Sequence, residues 1–186
     1  GINGIASSSM GRLFDAISAL LGICMENRYE GECAIMLENA AARAKRLGLI
    51  PHKMVFMYWN DGGVWQISAA PIFQAIGRGL KEGVSVDAMA LGFHEAVGDM
   101  IAALAEKIQE EINTTQVALT GGVFQNKILM EYTLSLLREK GFDVYYNVTV
   151  GPNDGGISLG QTYIAMEYLK EREENVCSDP GKNHCH

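Results

Sequence analysis

The last third of the chain repeats one local pattern twice, and that repetition constrains the fold more than any other feature. Gln116-Val117-Ala118-Leu119 is a short apolar strand that runs into Gly121-Gly122, and a helix follows from about Asn126 to Lys140. Val144 to Val150 is a second strand, Gly151 to Gly156 a loop, and Ile157 to about Glu171 a final helix. Strand, glycine loop and helix in succession are the signature of an α/β unit with parallel strands. Upstream, apolar residues at helical spacing predict a helix from Gly11 to Gly22, capped by Ser8 or Ser9, and another from about Glu32 to Leu47 with Gly48 as its stop. Met54 to Trp59, Asn60 to Gly63 and Val64 to Ala69 have the form of a β-hairpin with a four-residue turn. Pro71 opens a short helix that ends near Gly83. Asp87 is placed to cap a long helix with Ala90, Phe93, Val97, Ile101, Leu104 and Ile108 on one face.

Length and charge set the functional limits. The chain has 186 residues and a net charge of -7. It carries no Lys/Arg block, which argues against a nucleic acid or anionic membrane as primary partner. No uninterrupted apolar run reaches the ~18–20 residues that span a bilayer. Gly1 to Gly11 lack the basic and apolar regions of a secretory signal. Four cysteines without a CxxC pair make no disulfide framework, and a reduced cytoplasmic protein is the expectation. The nine methionines are spread along the chain and read as core filler.

Chemistry has few places to sit. The loops at 120–126 and 151–156 each follow a strand, where ligands of open α/β sheets gather. Glycines allow backbone to approach a ligand, and helix N-termini favour anions, yet Gly-Gly is also a common turn. Asp154 is either an Asx-turn or N-cap residue, or a ligand for a hard cation. Asn126 caps its helix or offers its amide to a ligand. Asp15 faces water from its helix or accepts two ribose hydroxyls. His184, Cys185 and His186, with Cys177, suggest zinc only weakly, because a structural site needs ordered backbone. His52 is isolated, and His94 reads as a surface or half-buried residue. No GxSxG, HExxH or Walker-type loop is present.

Four segments in order carry a resemblance: Ser7 to Ala16 (SSSMGRLFDA), Tyr29 to Glu32 (YEGE), Gly121 to Asn126 (GGVFQN) and Pro152 to Gln161 (PNDGGISLGQ). Together they resemble the C-terminal part of the HypF carbamoyltransferases of [NiFe]-hydrogenase maturation. The resemblance implies an α/β fold: the C-terminal lobe of an actin-like ATPase (ASKHA, ribonuclease H-like), with additional helices. The related TsaD family, which modifies tRNA, typically reads Asp-Asn-Ala at the last motif, whereas this chain reads Asn153-Asp154-Gly155-Gly156-Ile157-Ser158, and that favours the hydrogenase branch. In the HypF family a carbamoyl-adenylate is consumed at this domain. Its carbamoyl group passes to the C-terminal cysteine of HypE and later becomes the cyanide ligand of iron.

Carried over by motif, Asp15 would hold the ribose. Gly31 and Glu32 would border the nucleoside, Gly121 and Gly122 would pack backbone against the nucleotide, and Asn126 would hydrogen-bond it. Asp154 would ligate a divalent metal near the phosphates. The cofactors implied are ATP or carbamoyl-adenylate with that metal. The implied partners are a HypE-like protein, the family's remaining lobe and domains in cis or trans, or a second copy of the chain. The family's HxxxH pair and its other domains are absent from this sequence. The expectation is a fragment, residues 1–172 forming a partial domain and 173–186 a disordered tail, that does not turn over alone. A non-catalytic nucleotide- or partner-binding module is the alternative, and a TsaD-like tRNA-modifying subunit the weaker one.

Overall fold

The computed structural model describes residues 7–177, with side chains through Lys170. The zinc expectation at His184, Cys185 and His186 and most of the expected tail lie outside the described residues. The elements run α1 (Met10–Leu20), α2 (Glu32–Leu47), β1 (Met57–Asp61), β2 (Val64–Ser68), α3 (Ala70–Lys81), α4 (Val86–Ile112), β3 (Gln116–Leu119), α5 (Lys127–Glu139), β4 (Asp143–Tyr146) and α6 (Ile157–Cys177). Short 3-10 turns at Gly122–Gln125 and Asp154–Gly156 precede α5 and α6.

Helix α4 organises the molecule. Its Met89, Phe93 and Val97 are fully buried and meet Phe14 and Ile17 of α1, Leu37 of α2 and Ile72 and Ile76 of α3 in one core. Ala40, Ala41 and Ala44 give α2 a smooth face, and α2 makes its most extensive packing with α4. Gly92 shows how tight the centre is. A methyl there would overlap the His52 carbonyl, which also interrupts any bulkier residue at that point of α4. Arg43 of α2 ties the layers externally through paired hydrogen bonds to Asp87, at 3.0 and 2.7 Å.

That pairing corrects one expectation. Asp87 does not cap α4; Ser85 does, its hydroxyl accepting from the Ala88 N–H at 3.1 Å. Asp87 sits in the first turn, where the helix dipole and Arg43 both favour a carboxylate. Helix α4 is also long and apolar enough to cross a bilayer by those two measures, although charged residues interrupt its apolar run. Within this fold 67% of its most apolar window is buried, as in a core helix.

The two strands of the last third do pair in parallel, Gln116 opposite Asp143 through Leu119 opposite Tyr146. A second small core of Ala102, Leu119, Leu137 and Phe142 sits beneath them. β4 ends at Tyr146, so the expected strand to Val150 is too long. The hairpin turns on Gly62-Gly63 alone, because Asn60 and Asp61 remain in the ladder. α6 continues to Cys177, past the expected end near Glu171.

Candidate functional site

A cleft of about 710 Å³ opens between the start of α1, the loop before α2, the first turns of α2, and the loops that follow β3 and β4. It brings together Asp15, Gly31, Gly122, Asn126 and Asp154, which are distant in sequence. Gly121 and Glu32, also expected at the site, do not line it. Gly121 serves one residue back. Its φ of 99° suits only glycine, and it turns the chain out of β3 so that Gly122 reaches the cleft. Glu32 points the other way and is 3% exposed. It accepts from the Arg28 backbone N–H at 2.7 Å and from Arg28 Nε at 3.0 Å, and these bonds hold its carboxyl below the usual range. It shapes the loop that carries Glu30 and Gly31 to the rim.

Asn126 is the best anchored of the site residues. Its Oδ1 accepts from the Leu129 N–H at 2.9 Å, the N-cap bond of α5. Its Nδ2 donates to His94 Nε2 at 2.8 Å. His94 Nδ1 lies 2.8 Å from the Ala90 carbonyl, which can only accept, so the ring proton is on Nδ1 and Nε2 is free to accept. The cap and the histidine therefore fix which way the amide points. His94 is fully buried, edge-on to the ring of Phe14 at 5.3 Å. Burial lowers its pKa to about 4, so it is neutral and holds the tautomer that this bond needs. The surface or half-buried placement expected for His94 is thus corrected. Its apolar neighbours at i-1 and i+3, Phe93 and Val97, already placed it on the inner face of α4.

Asp15 is the least satisfied. Both carboxylate oxygens are buried and have no hydrogen-bond partner. Arg12 Nη1 lies 3.1 Å from Oδ2 but without hydrogen-bond geometry. A buried carboxylate without donors is costly unless something brings them.

The wall also contains residues that the sequence reading did not single out. Glu38 lines the cleft and accepts from the Lys127 N–H at 2.7 Å, so it helps to close the N-terminus of α5. Glu30 lines the rim. Ala34, Ile35 and Glu38 recur at the i, i+1, i+4 spacing of one helix face, which is the signal that would have marked Glu38. At the far side Asn153 caps the 3-10 turn by accepting from the Gly155 N–H at 3.2 Å, and Asp154 is exposed beside it. The N-cap expected as one reading of Asp154 is made by Asn153.

Charge decides what this wall can bind. Asp15, Glu30, Glu38 and Asp154 line it against Arg12 alone. Such a surface favours hydroxyl and amino donors and disfavours bare phosphate. Among the described residues no group of three His, Cys, Asp or Glu side chains could hold a metal. Asp154 offers one hard oxygen and does not make a cation site on its own.

Comparison with known proteins agrees over nearly the whole chain. A family model described as "Carbamoyltransferase, Kae1-like Domain, second subdomain" matches residues 1–161. Carbamoyltransferase HypF of Rhodobacter capsulatus is 39% identical over 171 residues, which is 91% of this chain and 21% of that protein. A probable carbamoyltransferase HypF of Methanocaldococcus jannaschii is 34% identical over 83% of this chain and 19% of its own length. A crystal structure of full-length HypF in a phosphate- and nucleotide-bound form superposes with a TM-score of 0.78 at 34% identity, covering 87% of this chain and 21% of that one. HypF of T. kodakarensis gives 0.75 at 30% identity, over 92% and 21%. The chain therefore spans about a fifth of the length of these relatives.

Proposed function

The chain belongs to the HypF carbamoyltransferase family, and we propose that it forms the nucleoside-binding wall of the cleft in which that family's carbamoyl transfer takes place. The observation that carries this reading is the Asp15 carboxylate, buried at the cleft with neither oxygen hydrogen-bonded. The two hydroxyls of a ribose supply the donors that it lacks. Asn126, held by the α5 cap and by His94, presents its remaining amide proton to the base or ribose on the same wall. Gly31 and Gly122 leave room for the nucleoside between them.

The ligand is ATP or a carbamoyl-adenylate, and the acceptor of the carbamoyl group is the C-terminal cysteine of a HypE-like protein. That one solved relative is described as phosphate- and nucleotide-bound supports this. The acidic wall favours the hydroxyl-bearing nucleoside on this side, with a cation taking up the charge of the phosphates. Asp154 contributes one oxygen at that end. The parallel pair β3–β4 with its flanking helices belongs to an actin-like ATPase lobe. The remainder of a longer family chain, or a second copy, covers the exposed apolar side chains of α6. In isolation the chain binds without turnover: among the described residues this wall offers the leaving phosphate no metal cluster and, as its one cation, Arg12, set against four carboxylates.

Calorimetric titration with adenosine, and with ATP in the presence of Mg²⁺, tests the reading. Binding is expected to be weak, on the order of hundreds of micromolar, from half of a cleft. Asp15→Asn keeps the shape but halves the acceptor capacity, and it should weaken adenosine and ATP alike by about tenfold, the worth of one charge-assisted hydrogen bond. Equal affinity of Asp15→Asn and the parent chain for adenosine would sink the ribose assignment.

A further inference from the structure

A pair of thiols lies beside the cleft and takes no part in the binding described above. Cys33 opens the first turn of α2 and is buried; Cys24 lies in the loop after α1 and is half-buried. Their sulfurs are 3.0 Å apart, with Cys33 Sγ donating to Cys24 Sγ. Both are free. A disulfide needs about 2.05 Å between sulfurs, so closure requires a movement of roughly 1 Å.

The surrounding loop is already held in that shape. Its near end is fixed by Ile23 N–H donating to the Ser18 carbonyl at 2.9 Å. Its far end is fixed by Cys33 N–H donating to Asn27 Oδ1 at 2.8 Å and by the Arg28–Glu32 bonds. The Cys24 thiol also donates to the Glu26 carbonyl at 3.3 Å, which keeps it turned into the loop. Two cysteines nine positions apart, brought into contact by backbone that is independently braced, form a preorganised pair.

We propose that Cys24 and Cys33 are an oxidation site: hydrogen peroxide converts them to an intramolecular disulfide that closes the loop carrying Glu30 and Gly31 at the cleft rim. The Cys24 thiolate attacks the peroxide O–O bond, forms an S–O bond and releases hydroxide, which takes up a proton as water. The Cys33 sulfur then attacks the Cys24 sulfur as its own proton leaves. The S–S bond forms, the S–O bond breaks and the second water departs. Two thiols lose two electrons in total, and one peroxide is reduced to two waters.

The order of attack follows from the surroundings. Cys24 is the more accessible of the two, half-buried where Cys33 is buried, so the peroxide meets its sulfur first. Cys33 is desolvated, and its thiol is pushed up to about 11, so it stays protonated until the sulfenic acid has formed next to it.

Trypsin gives a direct test, because it cuts after Arg28, between the two cysteines. The full chain is treated with hydrogen peroxide, its remaining thiols are alkylated, and it is digested without reductant. The peptides Leu13–Arg28 and Tyr29–Arg43 should appear as one linked species that separates on reduction. Cys33→Ser should stop at a Cys24 sulfenic acid that dimedone traps. Cys24→Ser, at the half-buried position, should leave Cys33 alkylatable at the same peroxide dose. The proposal is overturned if both peptides stay separate and alkylated, or if either cysteine links instead to Cys177 or Cys185. A linkage between two copies, seen as a dimer on a non-reducing gel, overturns it as well.

Discussion

The two walls of the cleft are built on different foundations. On one side Asp15 and Asn126 stand directly on the main core: Phe14 is 1% exposed and Leu129 and His94 are fully buried beneath them. On the other, Asp154 stands on a 3-10 turn that leads into α6, where Tyr163 and Ile164 are 64% and 70% exposed. α6 makes substantial contact only with the turn that precedes it. The first wall has its geometry dictated by packing that the chain supplies itself. The second has its backbone drawn by local hydrogen bonds and its apolar side chains uncovered. The placement of Asp15 and Asn126 is thus a property of this chain, whereas the placement of Asp154 depends on what fixes the turn.

The sharpest way to break that contrast is to remove the foundation of the first wall. Phe14→Ala empties a fully packed site between Phe93 and His94 and should cost about 3–5 kcal/mol in denaturant unfolding. Adenosine binding should disappear with it. If stability falls by less than about 1 kcal/mol, the wall is not resting on this core.

Next in size is a pH effect from His94. Its folded pKa of about 4 lies below the ordinary 6.5. Between those values the unfolded chain holds a proton that the folded chain does not. The stability that His94 contributes is therefore complete above pH 6.5 and is lost as the pH falls towards 4. The slope is about 1.4 kcal/mol per unit, about 3 kcal/mol in all. The difference between the parent chain and His94→Gln, followed by denaturation at several pH values, isolates this slope from that of the carboxylates. Parallel curves for the two proteins would mean that His94 is not buried neutral against Asn126.

Asn126→Ala should cost about 2 kcal/mol, combining a lost N-cap with a buried His94 nitrogen left without its donor. Serine at 126 restores the cap but does not reach His94, so it should recover only part of the loss. This residue also marks how far sequence carries. The asparagine before an apolar helix was legible as a cap, and the four motifs placed Asp15, Gly31, Gly122, Asn126 and Asp154 at one cleft, where the structure finds them. The second bond of Asn126 was not legible. It joins α4 to α5 across 32 positions, and a lone histidine in a helix carries no mark of its partner. Glu32 misled for the converse reason. Its motif neighbours line the cleft, but a carboxylate four residues from an arginine has a local partner, and Arg28 turned it inward. Helix ends set by glycine, as at Gly48, matched; Asp87 failed because Ser85 was as good a cap and Arg43 was nearby only in space.

The smallest expected effect concerns α6, and it is the one that tests the second wall. Ile164→Ser removes an apolar side chain that is 70% exposed, so this chain loses almost no burial. The change in unfolding free energy should stay within about 0.5 kcal/mol, as for substitutions at exposed sites. The same substitution in a full-length family member should cost several times more if α6 is covered there, because the methylenes would then be withdrawn from water at roughly 0.8 kcal/mol each. A near-zero effect in both settings would show that α6 is exposed by design. A large effect in the short chain would show that a second copy already covers the helix, and sedimentation at rising concentration would then reveal the dimer.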